Sequence, residues 1–104
     1  MPRVAFFEII LPVTGGDHTP ADRSEIEDEL DAALSKVGAG EVTGGGSGVD
    51  KSIVDVEATD FDQALPIIRF VLQRLRVPAN VRISHNEGDF TAGTGRRTYY
   101  PVYD

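Results

Sequence analysis

Two segments of the chain repeat their apolar residues at the spacing of a helix, and each lies between segments patterned like strands. In "HTPADRSEIEDELDAALSKVG", Ile26, Leu30, Ala33, Leu34 and Val37 fall on one stripe. Thr19 and Pro20 supply an N-cap and first-turn pair, acids crowd the first turns, and Gly38 stands where a left-handed residue ends a helix. In "DFDQALPIIRFVLQRLRVP", Phe61, Ala64, Leu65, Ile68, Val71, Leu72 and Leu75 form a broader stripe, and Asp60 and Gln63 have capping-box spacing. Pro66 falls within the second turn, so this helix either starts nearer Ala64 or bends there.

The strand-like segments complete the order. "RVAFFEIILPV" is a dense run of β-branched and aromatic residues closed by Pro12 and the Gly15-Gly16 pair, which predicts a central strand over 3–12. A short strand around Glu41 to Thr43 then enters the glycines, and "KSIVDVEAT" puts Ile53, Asp55 and Glu57 on one face and Val54, Val56 and Ala58 on the other. "NVRISHN" supplies a fourth strand with His85 at its end, and "EGDFTAGTGRRTYYPVYD" reads as a loop followed by an extended, tyrosine-rich tail. The order β-α-β-β-α-β, with right-handed crossovers, predicts an α+β fold: a ferredoxin-like split βαβ sandwich. Its four-stranded antiparallel sheet carries both helices on one face and leaves the other face open. A chain of 104 residues fits one domain, with a core over about 3–87 and the loop and tail over 88–104.

Composition narrows the function. With no cysteine there is no disulfide framework, no thiolate nucleophile and no Cys-ligated metal site. A formal charge of −7 argues against nucleic acid as a partner, because affinity for phosphates comes from clustered Lys and Arg. It favours a basic partner protein, or simply solubility. No stretch approaches the roughly 20 apolar residues that span a bilayer, and "MPRVAFFEIILPV" lacks a basic leader and a small-residue cleavage site. A cytoplasmic protein without membrane contact is expected.

The glycine-rich stretch "GEVTGGGSGVD" invites comparison with a phosphate-binding loop. From Gly45 to Ser52 the pattern G-x-x-x-x-G-K-[ST] is met except at Asp50, where the second glycine should stand. A carboxylate there repels phosphate, and the following "IVDVEA" is a strand where a phosphate loop needs a helix N-terminus. No nucleotide-binding residue is assigned. The glycines are expected to make the turn between the second and third strands, supplying positive φ and a bulge.

Other candidate chemistry is sparse. Glu8, Asp55 and Glu57 are expected together on the open face, either as ligands for a hard cation or as a solvated acidic surface with Arg3 or Arg82 as cross-strand partners. The second alternative is preferred, so no metal and no cofactor is expected. His18 beside Asp17 has the makings of a general base, though helix-entry residues read the same way. His85 is the other imidazole. None of the serines has an activating partner, so no catalytic residue is assigned. In the tail, Arg96, Arg97, Tyr99, Tyr100 and Tyr103 are of types enriched at interface hot spots. The tail either forms a fifth strand, folds over Phe6 and Ile10, or meets a partner.

From Gly38 to Pro78 the chain carries a G-x-V-x-G-G-G segment (Gly40 to Gly46), an acidic strand, and an L-P-x-I-R helix (Leu65 to Arg69) ending in V-P. In these it resembles a group of small bacterial proteins to which no established function is attached. The resemblance implies an α+β fold and a bacterial source, and carries over no functional residue.

Two functions follow. The first is a small acidic, non-enzymatic protein-interaction module using Phe6, Ile10 and the tail residues, in the form of an inhibitor or immunity-type protein for a basic partner. The second is a ferredoxin-like homodimer enclosing a small-molecule site, as enzyme or sensor, with Glu8, Asp55, Glu57 and His85 as its candidates. If the apolar residues of the open face stay exposed in the monomer, a partner or second copy is expected to cover them.

Overall fold

Residues 4–12, 23–47, 51–77, 79–87 and 96–103 are described by the computed structural model of the chain. In chain order the elements are β1 (Ala5–Pro12), α1 (Arg23–Lys36), β2 (Gly40–Ser47), β3 (Lys51–Ala58), α2 (Phe61–Arg74), β4 (Arg82–Glu87) and β5 (Arg96–Pro101). The strands form one sheet in the order β2-β3-β1-β4-β5, and every neighbouring pair is antiparallel. The α+β class and the two helices match the expectation, and the first four strands are compatible with a split βαβ arrangement. The expected count of four strands is corrected to five. The tail pairs with β4 in continuous register from Arg82↔Pro101 to Glu87↔Arg96, because its alternating residues suit a two-faced strand and β4 offers a row of backbone partners.

One face of the sheet carries both helices. Phe7, Ile9 and Leu11 of β1, Val54 and Val56 of β3 and Ile83 of β4 are buried in one cluster with Ile26, Leu30 and Leu34 of α1 and Ala64, Ile68, Val71 and Leu72 of α2. Each of these side chains larger than alanine contributes about 1.5–3 kcal/mol through removal from water. Val37, expected on the α1 stripe, lies past the helix end and is exposed.

The two helices end alike. At α1, Gly38 donates to the Ser35 carbonyl and Ala39 to that of Leu34, with Gly38 at φ 69°. At α2, Arg76 donates to the Gln73 carbonyl and Val77 to that of Leu72, with Arg76 at φ 57°. Both are Schellman closures, in which the residue after the left-handed one packs back on the last turn; Ala39, Leu34, Val77 and Leu72 are all buried. The sequence marks only the first, because only the first uses glycine. Of the two alternatives for α2, the start nearer Ala64 is not found: the helix begins at Phe61, after the capping residue the sequence offers, with the Asp60 carboxylate accepting from the Asp62 N–H at 3.2 Å, and runs on through Pro66. Pro66 is exposed, so water reaches the site where its missing N–H leaves a carbonyl without a helical partner. Thr19 and Pro20, expected to cap α1, lie outside the described residues.

The glycines also depart from expectation. Gly44, Gly45 and Gly46 continue β2 rather than turning, paired with Asp55, Val54 and Ile53, after a bulge between Val42 and Gly44. A Cβ at Gly45 would collide with the Ile53 carbonyl oxygen, and one at Gly40 would stand 2.6 Å from that of Glu57. These two glycines therefore let β2 lie close against β3. The segment after the expected loop, from Lys51, is a strand as its alternation implies. Among the described residues, no helix is long and apolar enough to cross a membrane.

Candidate interaction face

Register places the residues of the uncovered face in three rows running from β2 to β5. The first row reads Glu41, Glu57, Phe6, Asn86, Arg97; the second Gly44, Asp55, Glu8, Ser84, Tyr99; the third Gly46, Ile53, Ile10, Arg82, Pro101. Carboxylates thus occupy the β2–β3 side and guanidinium groups the β4–β5 side, and between them β1 presents Phe6 and Ile10 on either side of Glu8. Val4, 60% exposed, and Phe6, 52% exposed, remain open to water, as does Tyr99 at 49%.

A polar network crosses the middle of this face. Asn86 Nδ2 donates to Glu8 Oε1 at 2.7 Å, Arg97 Nε donates to Asn86 Oδ1 at 3.0 Å, and Arg97 Nη2 approaches Glu8 Oε1 at 3.3 Å. Ser84 Oγ donates to Asn86 Oδ1 at 3.1 Å. The Glu8 carboxylate, in the middle of a central strand, is therefore held by a cation and an amide. Arg97 is its cation, where sequence reading named Arg3 or Arg82; Arg3 lies outside the described residues, and Arg82 instead stands 5.9 Å from the centre of the Tyr99 ring. The roles of Ser84 and Asn86 become visible only when the register of β4 against β1 is known, since their alternation shows a shared face but not which neighbour they meet.

The tail residues separate by face. Arg97 and Tyr99 belong to the open side. Tyr100 points to the helical side, its ring 6.1 Å from that of Phe61. Tyr103 donates its hydroxyl to the Val77 carbonyl at 2.6 Å, and the Val102 carbonyl accepts from Gln73 Nε2 at 2.7 Å, so the end of the chain is fastened to the end of α2. Arg96 pairs with Glu87 through its backbone in β5. The described part of the tail, 96–103, does not fold over Phe6.

The alternative ligand set is divided as well. Glu8 and Asp55 are direct cross-strand neighbours and Glu57 is opposite Phe6, all on the open side. His85 is opposite Phe7, 2% exposed, its ring 4.5 Å from Phe61 and 5.3 Å from Phe7 on the helical side. The sheet itself separates the imidazole from the carboxylates, and β4 continues past His85 to Glu87. Among the described residues, no three His, Asp or Glu side chains form a group that could hold a metal ion. Asp17 and His18 lie outside the described residues.

Two shallow depressions lie elsewhere. One of about 250 Å³ is lined on α2 by Leu65, Pro66, Arg69, Phe70 and Gln73. The other, of about 300 Å³, lies between the end of α1 and the β2–β3 edge, lined by Ser35, Gly38, Gly40, Glu41, Glu57 and Thr59. In the second, the Thr59 hydroxyl donates to the Gly38 carbonyl at 2.7 Å. Compared with known proteins, the chain matches no family model, no curated protein and no solved structure.

Proposed function

We propose that the chain is a non-enzymatic protein-interaction module that works through the uncovered face of its sheet. The observation that carries this reading is the exposure of Val4, Phe6 and Tyr99 on one side of the sheet, around a polar network bonded within the chain. An apolar centre with aromatic and arginine side chains and a charged surround has the anatomy of a protein interface. The division of Glu8, Asp55 and Glu57 from His85 supports association over an enclosed small-molecule site. In fold, the pairing of β1 to β4 supports a ferredoxin-like split βαβ sandwich, extended here by β5.

The net charge of −7 favours a basic protein as an outside partner. Because the face itself carries Arg82 and Arg97 beside its acids, net charge does not choose the occupant. The reading is tested with a photo-activated cross-linking residue placed at Phe6 or, as a control, at the still more exposed Phe70 on α2. In cells making the protein, irradiation is expected to yield a defined protein adduct from position 6 and none from position 70. No adduct from position 6 would sink the reading.

A further inference from the structure

We infer that the occupant of this face is a second copy of the chain, related by a two-fold axis that lies between the two sheets and runs parallel to β1. The inference rests on the association reading above and names its partner.

The first support is the position of β1 as the middle strand of five. A half-turn about an axis along β1 lays β1 over the partner's β1, β3 over the partner's β4 and β2 over the partner's β5. The acidic side of each copy then meets the basic side of the other: Glu41 faces the partner's Arg97, and Asp55 and Glu57 face the strand bearing the partner's Arg82. The other face-to-face two-fold, across the strands, would stack acid on acid and arginine on arginine, and like charges brought together across an interface oppose binding. Charge layout therefore selects the axis. Sheets packed face to face cross at about 30°, which slides the outer strands along one another but keeps acid side against basic side.

The second support is shape. Along the axis, Phe6 and Ile10 meet their own copies and form an apolar contact on each side of Glu8. Toward the β2 edge, Gly44 and Gly46 present no side chain; nothing lies within 4 Å of a Cβ at Gly46, and only the Asp55 carboxylate, at 3.8 Å, near one at Gly44. The same rotation brings the partner's Tyr99 and the partner's Pro101 over these bare positions. The glycines of β2 thus leave room for the bulkier residues of the opposite edge. Glu8, which meets its own copy, enters the contact already neutralised by Arg97 and bonded by Asn86. The acids of α1 lie on the far side of the sheet, where they repel across a greater distance.

The third support is area. Five strands about 4.8 Å apart and six residues long at about 3.3 Å per residue give a flat footprint of about 480 Å² per copy. Two copies thus bury about 1,000 Å² before side-chain relief is counted, at the threshold for a specific, reversible interface.

Sedimentation equilibrium of the purified chain tests the inference. A reversible monomer–dimer equilibrium is expected, weakened at least tenfold by Phe6→Lys and unchanged by Phe70→Lys. A chain carrying Glu41→Arg with Glu57→Arg, and one carrying Arg82→Glu with Arg97→Glu and with Glu8→Gln to remove the carboxylate that Arg97 neutralises, should each be monomeric, while their equimolar mixture forms a mixed dimer. Failure of the mixture to associate, with both chains folded by circular dichroism, would overturn the axis. Should a swapped chain not fold, Ile10→Cys in the otherwise cysteine-free chain takes its place. Position 10 lies on the axis, so a short thiol-to-thiol cross-linker should join two copies there and not at Ser35→Cys, and no joining at position 10 would equally overturn it. A monomer at every concentration would refute the second copy; a foreign protein cross-linked at position 6 would then still support the association reading, and no adduct would remove both.

Discussion

Phe6 and Phe7 are neighbours in sequence, share a strand and a side-chain type, and differ from 52% to 1% in exposure. Phe7 stacks on Phe61 of α2 at 5.6 Å between ring centres and lies beside His85; Phe6 lies between Glu57 and Asn86 in the register and has no helix above it. The chain therefore builds two faces from one strand, one completed by its own helices and one left for something else. An apolar residue on the first face is a folding residue, whereas on the second it contributes to folding only weakly and acquires its value on association.

The largest effect that would break this comparison is at the pair itself. Phe7→Ala should cost about 3–5 kcal/mol in denaturant unfolding, and Phe6→Ala less than about 1 kcal/mol. Equal losses would mean that the two faces are not energetically distinct. Next come the glycines. Gly45→Ala pushes a methyl group into the Ile53 carbonyl and should lose about 1–3 kcal/mol, while Gly46→Ala, with open space, should gain up to about 1 kcal/mol because glycine weakens a strand interior. Thermal melts of the two variants moving in the same direction would contradict the placement of β2. In β5, Tyr100→Ala is expected to cost about 1–2 kcal/mol and Tyr99→Ala less than about 0.5 kcal/mol, measured under monomeric conditions. Arg97→Ala is likewise expected to cost little, about 0–1 kcal/mol, because its ion pair with Glu8 is partly solvated. A loss well above that in urea titrations would make the polar network a folding element.

How far sequence could see these faces depended on whether side chains carried the signal. Glu8, set in an apolar run, broke the symmetry of β1 and assigned Phe6 and Ile10 to the open side; Asp55 and Glu57 did the same for β3. Glycine has no side chain with which to show period two, so Gly44 to Gly46 read as a turn although they continue a strand. Arg76 hid the end of α2, since nothing in its chemistry marks the left-handed conformation that Gly38 marks for α1. Period two along "NVRISHN" puts His85 on the face of Val81 and Ile83, and the register sets it opposite Phe7, away from the carboxylates. The network of Ser84, Asn86 and Arg97 depends on pairing between strands far apart in the chain, and pairing is not a local property.

The central position of β1 bears on how the protein is made. Glu8 and Asn86, bonded across β1 and β4, are 78 positions apart, and both neighbours of the first strand arrive later in the chain. At about 5–20 residues per second, the apolar run through Phe6, Phe7, Ile9 and Ile10 leaves the ribosome about 4–16 s before its last partner strand is synthesised. During that interval α1, the β2–β3 hairpin and α2 can form from short-range contacts, but the strand that will become the middle of the sheet has no completed site on both sides. Of the described strands β1 thus waits longest for its second neighbour, and its exposure to chaperones or to other nascent chains is set by topology rather than by stability.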